Sequence, residues 1–267
     1  MVLTPGFMGG AGAGFAAPDI ASHDFEDGTV GPFTDNYGSP LITVINDPTG
    51  GGMGKVCKLL YHVEGPGNND SNTSLDYTLN PATRTDVYYR GYFYFVDPGI
   101  QGGTQVELIP SGLQRKTIYI NAGLGADYWT GTVQRWLDGA TDTMDNGVYG
   151  PRSVTKSAQP EFSEIEYCCA IDVLLDTWYY YEYRVKLNTP GSSDGAIQIW
   201  VGAKGSPNLA NALLYNGSNL DIRHSTTKGH EFVRFGQQLD AFTNSTYVID
   251  DIRYMDKIAI STQRIGP

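Results

Sequence analysis

Three short runs set aromatic rings beside charge at two-residue spacing, the pattern a strand needs to hold chemistry on one face. In Trp178-Tyr179-Tyr180-Tyr181-Glu182-Tyr183-Arg184-Val185-Lys186-Leu187 the odd positions from Tyr179 to Leu187 form an apolar face, and Trp178, Tyr180, Glu182, Arg184 and Lys186 form the other. In Val87-Tyr88-Tyr89-Arg90-Gly91-Tyr92-Phe93-Tyr94-Phe95 the set Val87, Tyr89, Phe93 and Phe95 should face a core, leaving Tyr88, Arg90, Tyr92 and Tyr94 opposite. Ile197-Gln198-Ile199-Trp200-Val201 turns Gln198 and Trp200 outward. Aromatic faces stack on the apolar faces of pyranose rings, while charged and amide groups hydrogen-bond hydroxyls. Arg90, Tyr92, Tyr94, Glu182, Arg184, Lys186 and Trp200 are therefore candidate glycan-binding residues. The same pattern also suits a solvated face or a subunit contact, because scattered exposed aromatics need no ligand.

The elements that would carry these residues are strands. Clusters such as Asp47-Pro48-Thr49-Gly50-Gly51-Gly52, Gly65-Pro66-Gly67-Asn68-Asn69-Asp70 and Pro190-Gly191-Ser192-Ser193-Asp194-Gly195 punctuate the chain at short intervals. That spacing predicts an all-β fold, a two-sheet antiparallel jelly roll or β-sandwich, with at most a short helix over 207–214. Of 267 residues only 18% are charged, while Gly (33) and Tyr (18) are abundant, a composition suited to strands and turns. Residues 1–21 are Gly- and Ala-rich and read as an extended N-terminal arm, with anchors Val2, Leu3, Phe7, Met8 and Phe15 suited to pockets on a partner or a second copy; residues 22–267 read as one domain.

Eighteen basic against 29 acidic residues leave a net charge of −11, which argues against nucleic acid as a partner. No apolar run is long enough for membrane insertion, and the start lacks the basic and apolar regions of a leader, so it reads as mature sequence made in a cytoplasm. Cys57, Cys168 and Cys169 are odd in number and read as buried free thiols. The sequons at Asn69, Asn72, Asn216 and Asn244 read as unused. The acid-rich stretch Asp138–Gly147 departs from the spacing of a calcium loop and reads as a solvated loop.

Asp24-Phe25-Glu26-Asp27-Gly28, the stretch from Trp178 to Trp200, and Tyr247-Val248-Ile249-Asp250-Asp251-Ile252 together resemble the concanavalin A-like lectin/glucanase superfamily, particularly the jelly-roll domains of polysaccharide lyases. The resemblance implies a concanavalin A-like fold over most of 22–266. It also implies a structural Ca²⁺ held by Glu26 and Asp250, with Asp27 and Asp251 as neighbours. The hydrolase branch pairs alternating carboxylates on one strand face; Glu164-Ile165-Glu166-Tyr167-Cys168-Cys169 comes nearest but has cysteines where the closing carboxylate belongs. The lyase branch removes a proton α to a uronate carboxylate and needs a base with a neutralising Arg, Gln or Asn. Arg90, Tyr92, Tyr94, Arg184 and Lys186 are suitable groups, but the alginate-lyase trio of strand motifs does not appear. Of His23, His62, His224 and His230, His62 is best placed, on the polar side of a strand. No residue is assigned as catalytic.

Two functions remain. The first expectation is a non-catalytic jelly roll of a virus or phage particle, a decoration, cement or tail component located in the virion, made in the host cytoplasm, binding glycan and touching other virion proteins or its own copies through the arm. The alternative is an extracellular polysaccharide lyase acting on uronate-containing polysaccharide by β-elimination.

Overall fold

The structure, a computed structural model, describes residues 15–35, 41–64, 73–96, 114–115, 117–121, 130–137, 143–149, 172–174, 176–220, 223, 229–236, 239–240 and 248–267. For 61–64, 114–115, 121, 130–137, 143–149, 172–173, 239–240 and 248–251 the description is of the backbone. Residues 1–14 of the arm, the Glu164–Cys169 run, His224, Asn69, Asn72 and Asn244 lie outside it, as do the side chains of His62 and Asp250.

The strands are β1 (Ala21–His23), β2 (Thr34–Asp35), β3 (Ile42–Asn46), β4 (Lys55–Glu64), β5 (Leu75–Thr78), β6 (Asp86–Phe95), β7 (Gln114–Arg115), β8 (Ile118–Asn121), β9 (Thr130–Leu137), β10 (Thr143–Tyr149), β11 (Asp172–Leu174), β12 (Trp178–Lys186), β13 (Gly195–Ala203), β14 (Leu213–Leu220), β15 (Phe232–Phe235), β16 (Leu239–Asp240) and β17 (Val248–Ser261). One sheet has eight strands in the order β14-β13-β12-β6-β17-β4-β3, with β1 also on β17; the other has seven, β11-β10-β9-β8-β15-β5-β2; β16 and β7 pair separately. Every described pairing is antiparallel, as a jelly roll requires. Among the described residues, no helix is long and apolar enough to cross a membrane.

Two-residue alternation fixes which face is inside. Tyr89, Phe93, Phe95, Tyr179, Tyr181, Tyr183, Val185, Ile197 and Ile199 from the larger sheet meet Leu75, Ile118, Ile120, Val233 and Phe235 from the smaller one in a single core. Gly91 takes the inward place between Tyr89 and Phe93, where a Cβ would lie 2.7 Å from the Phe93 ring. Cys57 is a buried free thiol there, and burial pushes its pKa up.

Two expectations change. Of the stretch Asp138–Gly147 read as a solvated loop, 138–142 lie outside the described residues, and Thr143 to Gly147 belong to β10, laddered to β9 over Met144–Tyr149 and to β11 over Thr143–Asp145, pairing that overrides turn-prone Asp145, Asn146 and Gly147. Only Leu209–Asn211 of the segment read as helical forms a 3₁₀ turn; the Val201 amide donates to Ala212 O at 3.0 Å, and the chain then enters β14.

Residues 15–21 lie against this chain's own last strand. Asp19 accepts from Ser261 Oγ at 2.9 Å and from the Thr262 amide at 2.7 Å, and Ala21–His23 pair with Ile258–Ile260. Phe15, read above as an anchor for a partner, packs its ring on Gly266 and on Arg264 (5.1 Å) instead.

Candidate functional site

The residues expected to bind glycan share the outer face of the eight-stranded sheet, as alternation predicted, but half of that face is closed. Tyr92, Tyr180, Glu182 and Trp200 are buried, and with Met53, Val56, Trp178 and Leu209 all but Glu182 form a second apolar cluster. Two segments form the lid. The 3₁₀ turn drops Leu209 onto Gly202, where a Cβ would sit 2.6 Å from Leu209 Cδ1. Residues 263–266 cross the strands, tied down by the fully buried Glu182 carboxylate, which accepts from the Ile265 amide (2.8 Å), the Gly266 amide (3.3 Å), Arg264 Nε (3.4 Å) and the Tyr180 hydroxyl. The Arg264 guanidinium lies 4.2 Å from the Trp200 ring centre and donates to Ala210 O. Arg90 donates to Lys257 O (3.1 Å) and Gly266 O (3.2 Å).

Arg90, Glu182 and Trp200 thus hold the tail, and Tyr92 is buried against Tyr180 with ring centres 5.6 Å apart, a correction to the open sugar surface expected for all four. Tyr94, Arg184 and Lys186 remain partly exposed. Arg184 is fixed by two bonds to Asp86 (2.9 and 2.7 Å) and one to Gln198 (2.9 Å), and those bonds with Asp86 hold its pKa above the ordinary arginine value.

His230 is buried. Its Nδ1 lies 2.8 Å from Tyr89 Oη and its Nε2 3.2 Å from Val185 O, and burial depresses its pKa to about 4, so it is neutral and structural. His23 bonds Thr29 O at 2.9 Å in the opening turn.

The calcium ligands implied by the resemblance are not brought together. Glu26 Oε1 accepts from the Lys55 amide at 3.0 Å, whereas Asp250 pairs with His62, seven residues further along β4 and about 23 Å away at a strand's rise per residue. Calcium–oxygen bonds are about 2.3–2.6 Å, so these two residues cannot share an ion. Among the described residues no three His, Cys, Asp or Glu side chains form a metal-holding group, and the Lys55 ammonium donates to Glu26 O at 3.0 Å.

Beside that turn, β17 bulges between Asp256 and Ala259, with Lys257 at φ +48°. Asp256 is fully buried; Oδ1 accepts from the Lys257 amide at 2.6 Å, and Oδ2 has no hydrogen-bond partner. Burial above all pushes its carboxyl up to about 7, against the Lys257 hydrogen bond and charge. A raised folded-state pKa means stability present at low pH is lost as pH rises from the ordinary 3.8 through about 7. Asp256→Asn keeps the bond to Lys257 and removes the charge. The variant's advantage over wild type should therefore be about 3 kcal/mol larger at pH 8 than at pH 4, checked by thermal melts at both.

On the outer face of the seven-stranded sheet, register sets Thr34, Asp76, Arg234 and Tyr119 in one row across β2, β5, β15 and β8, and Thr78, Phe232 and Asn121 in the next. Arg234 Nε donates to Asp76 Oδ2 at 2.9 Å, and its guanidinium lies 4.9 Å from the Phe232 ring centre and 5.8 Å from that of Tyr119. The two rings stack at 6.1 Å. Burial raises the Asp76 pKa, opposed by Ser74 and Arg234. Asp76 thus aims the guanidinium while, among the described residues, its Nη groups have no hydrogen-bond partner. Tyr119 is buried and Phe232 and Arg234 are partly exposed, so what this face offers a ligand is a partly exposed cation beside the rings, able to pair with a carboxylate. Sequence reasoning missed this cluster. Its signals, Ile118-Tyr119-Ile120-Asn121 and Phe232-Val233-Arg234-Phe235, alternate correctly but are four residues long.

The class that the fold defines is the two-sheet antiparallel jelly roll, here with a cation and aromatic rings on one outer sheet face. No family model matches the chain, nor does any curated protein sequence. Its fold matches solved structures over nearly the whole length. The marine PL-14 alginate lyase from Aplysia kurodai superposes with TM-score 0.61 at 12% identity, covering 94% of this chain and 100% of that one. The alginate lyase Aly36B gives 0.63 at 12% identity, with 94% and 100% covered, and its variants are solved with alginate trisaccharide and tetrasaccharide. An endo-β-1,4-glucuronan lyase from Trichoderma reesei gives 0.57 at 12% identity, with 92% and 98% covered. At such identities the likeness establishes the fold. These three neighbours are polysaccharide lyases, a finding that corrects both the expectation of a non-catalytic virion component and the leaning against an enzyme.

Proposed function

We propose that the protein is a polysaccharide lyase that cleaves a uronate-containing chain by β-elimination on the outer face of the seven-stranded sheet. The observation that carries the proposal is Arg234, held on that face by Asp76 between Tyr119 and Phe232; the fold it shares with alginate and glucuronan lyases supports it. In this reaction a base takes the C5 proton, α to the uronate carboxylate. The electron pair forms the C4=C5 double bond, the C4–O glycosidic bond breaks, and the departing oxygen gains a proton. Arg234 neutralises the carboxylate, so negative charge spreading onto it during proton removal meets a preset cation. Tyr119, the cross-strand neighbour of Arg234, brings a hydroxyl to that row and is the candidate proton donor or acceptor. Polymeric substrates are met outside cells, so the reading includes an extracellular location. Arg90, Tyr92, Arg184 and Lys186 belong to the opposite sheet and take no part.

The test is digestion of alginate and glucuronan, followed by the ultraviolet absorbance of unsaturated uronate ends. Wild-type protein should produce them, and Arg234→Ala should lower kcat/KM about a hundredfold while keeping the β-type circular dichroism spectrum of the folded protein. Absence of unsaturated product from both polymers, or an Arg234→Ala rate equal to wild type, overturns the proposal.

A further inference from the structure

The tail closes only part of the eight-stranded sheet's outer face. Away from the β17 bulge, one cross-strand row runs Thr43, Lys58, Tyr254, Tyr94 and Trp178 over β3, β4, β17, β6 and β12. Four inter-strand steps make it about 19 Å long. Thr43 is exposed and Lys58, Tyr254 and Tyr94 partly so, and the next row adds partly exposed Leu60, Ile252 and Val96. The Tyr94 and Tyr254 rings are 5.9 Å apart, and Tyr94 rests 5.5 Å from Trp178. Trp178 cannot move: its Nε1 donates to Thr49 Oγ1 at 2.7 Å and its ring covers Gly51, where a Cβ would lie 2.5 Å away. The result is a rigid aromatic shelf on a sheet face, with the buried tryptophan as its end stop.

We propose that this shelf is a second, non-catalytic polysaccharide-binding platform, with Tyr94 and Tyr254 as its stacking rings, and that its ligand is a neutral glycan. Two adjacent rings offer stacking area to successive sugar units at little entropic cost, because a tyrosine on a strand orders few rotors. The charges felt at the rings select the ligand. Burial first, then carboxylates, raises both phenol pKa values: Asp176 and Asp47 act on Tyr94, and Asp47 on Tyr254. Asp47 accepts from the Thr49 amide (2.8 Å), Thr49 Oγ1 (2.6 Å) and the Met53 amide (3.1 Å); these bonds outweigh its burial and keep it ionised. Asp47 and Asp176 offer hydroxyl acceptors on one side of the rings and Lys58, beside Tyr254 in the row, a donor on the other, so the shelf is mixed in charge and, in a chain of net charge −11, suits sugar hydroxyls better than a uronate carboxylate. The shelf and the Arg234 face therefore prefer opposite kinds of sugar on opposite sheets.

The inference does not depend on catalysis, so its test measures binding alone. Full-length protein is run in native affinity gels containing hydroxyethylcellulose, xylan, galactomannan or alginate, and its size is followed by light scattering. Wild type should be retarded by at least one neutral polymer, with Tyr94→Ala and Tyr254→Ala each about tenfold weaker. Tyr254→Phe, which keeps the ring, should bind as wild type and guards against a loss caused by misfolding. Arg234→Ala should keep neutral-glycan retardation whatever it does to uronate cleavage. No retardation by any neutral polymer, retardation indifferent to both alanine variants, retardation by alginate alone, or a change of oligomeric state on substitution overturns the proposal.

Discussion

Replacing Glu182 by Ala should destabilise the fold by about 3–5 kcal/mol, a fall in Tm on the order of 10 °C. The carboxylate is fully buried and holds four partners at once, the Tyr180 hydroxyl, two tail amides and Arg264 Nε, and Arg264 in turn reaches the Trp200 ring and Ala210 O. Without it the Ile265 and Gly266 amides lose their acceptor and Arg264 its counter-charge, so the tail either leaves the sheet, baring Tyr92, Tyr180 and Trp200, or stays with unpaired groups. Limited trypsin treatment separates the two, since Arg264 becomes cleavable only when the tail lifts. Tyr180→Phe removes one hydrogen bond and should cost about 1 kcal/mol. A Glu182→Ala protein that melts within a degree of wild type would show that the strap is not held by this carboxylate.

Acid sensitivity should appear when Asp256 is removed and His230 is kept, because the two buried groups oppose each other. His230, with its pKa at about 4 against an ordinary 6.5, stays neutral in the folded state while the unfolded chain takes up a proton. Its contribution falls as pH drops from 6.5 to 4, by about 3 kcal/mol. Asp256 runs the other way over nearly the same interval, gaining stability as pH falls from about 7 towards 3.8. Wild type should therefore show a nearly flat stability between pH 7 and 4. Asp256→Asn should lose about 3 kcal/mol on the same descent, and the double variant with His230→Gln should be flat again. Urea titrations at several pH values read this directly; an Asp256→Asn protein with no acid slope defeats it.

The inward face was legible because period-two alternation carries it: Tyr179, Tyr181, Tyr183, Val185 and Leu187 are all core residues. Which outward residues stay exposed was not, because covering is a long-range event. Nothing near Glu182 announces that residues 264–266, more than eighty positions later, will donate to it. Local alternation treats Trp200 and Tyr94 alike, yet one lies under the tail and the other beside an open row. The metal pair failed for a related reason: Glu26 and Asp250 come from motifs at matching ends of the sequence pattern, but register along β4 sets them at opposite ends of a strand. Arg234 and Tyr119 escaped notice because four-residue strands carry too little alternation to stand out, and their partnership is made across β15 and β8.

The position of β17 bears on how the molecule is made. This strand sits between β6 and β4, and β1 docks on it as well, so the middle of the larger sheet is the last of the strands to leave the ribosome. Until it emerges, β6 and β4 each expose an unpaired edge with Phe93, Phe95, Cys57 and Leu59 beneath. Until β17 has been made, these strand edges stay open and invite pairing between neighbouring polysomes. Chaperone supply during translation, rather than final thermal stability, should govern the yield of this protein in a heterologous host.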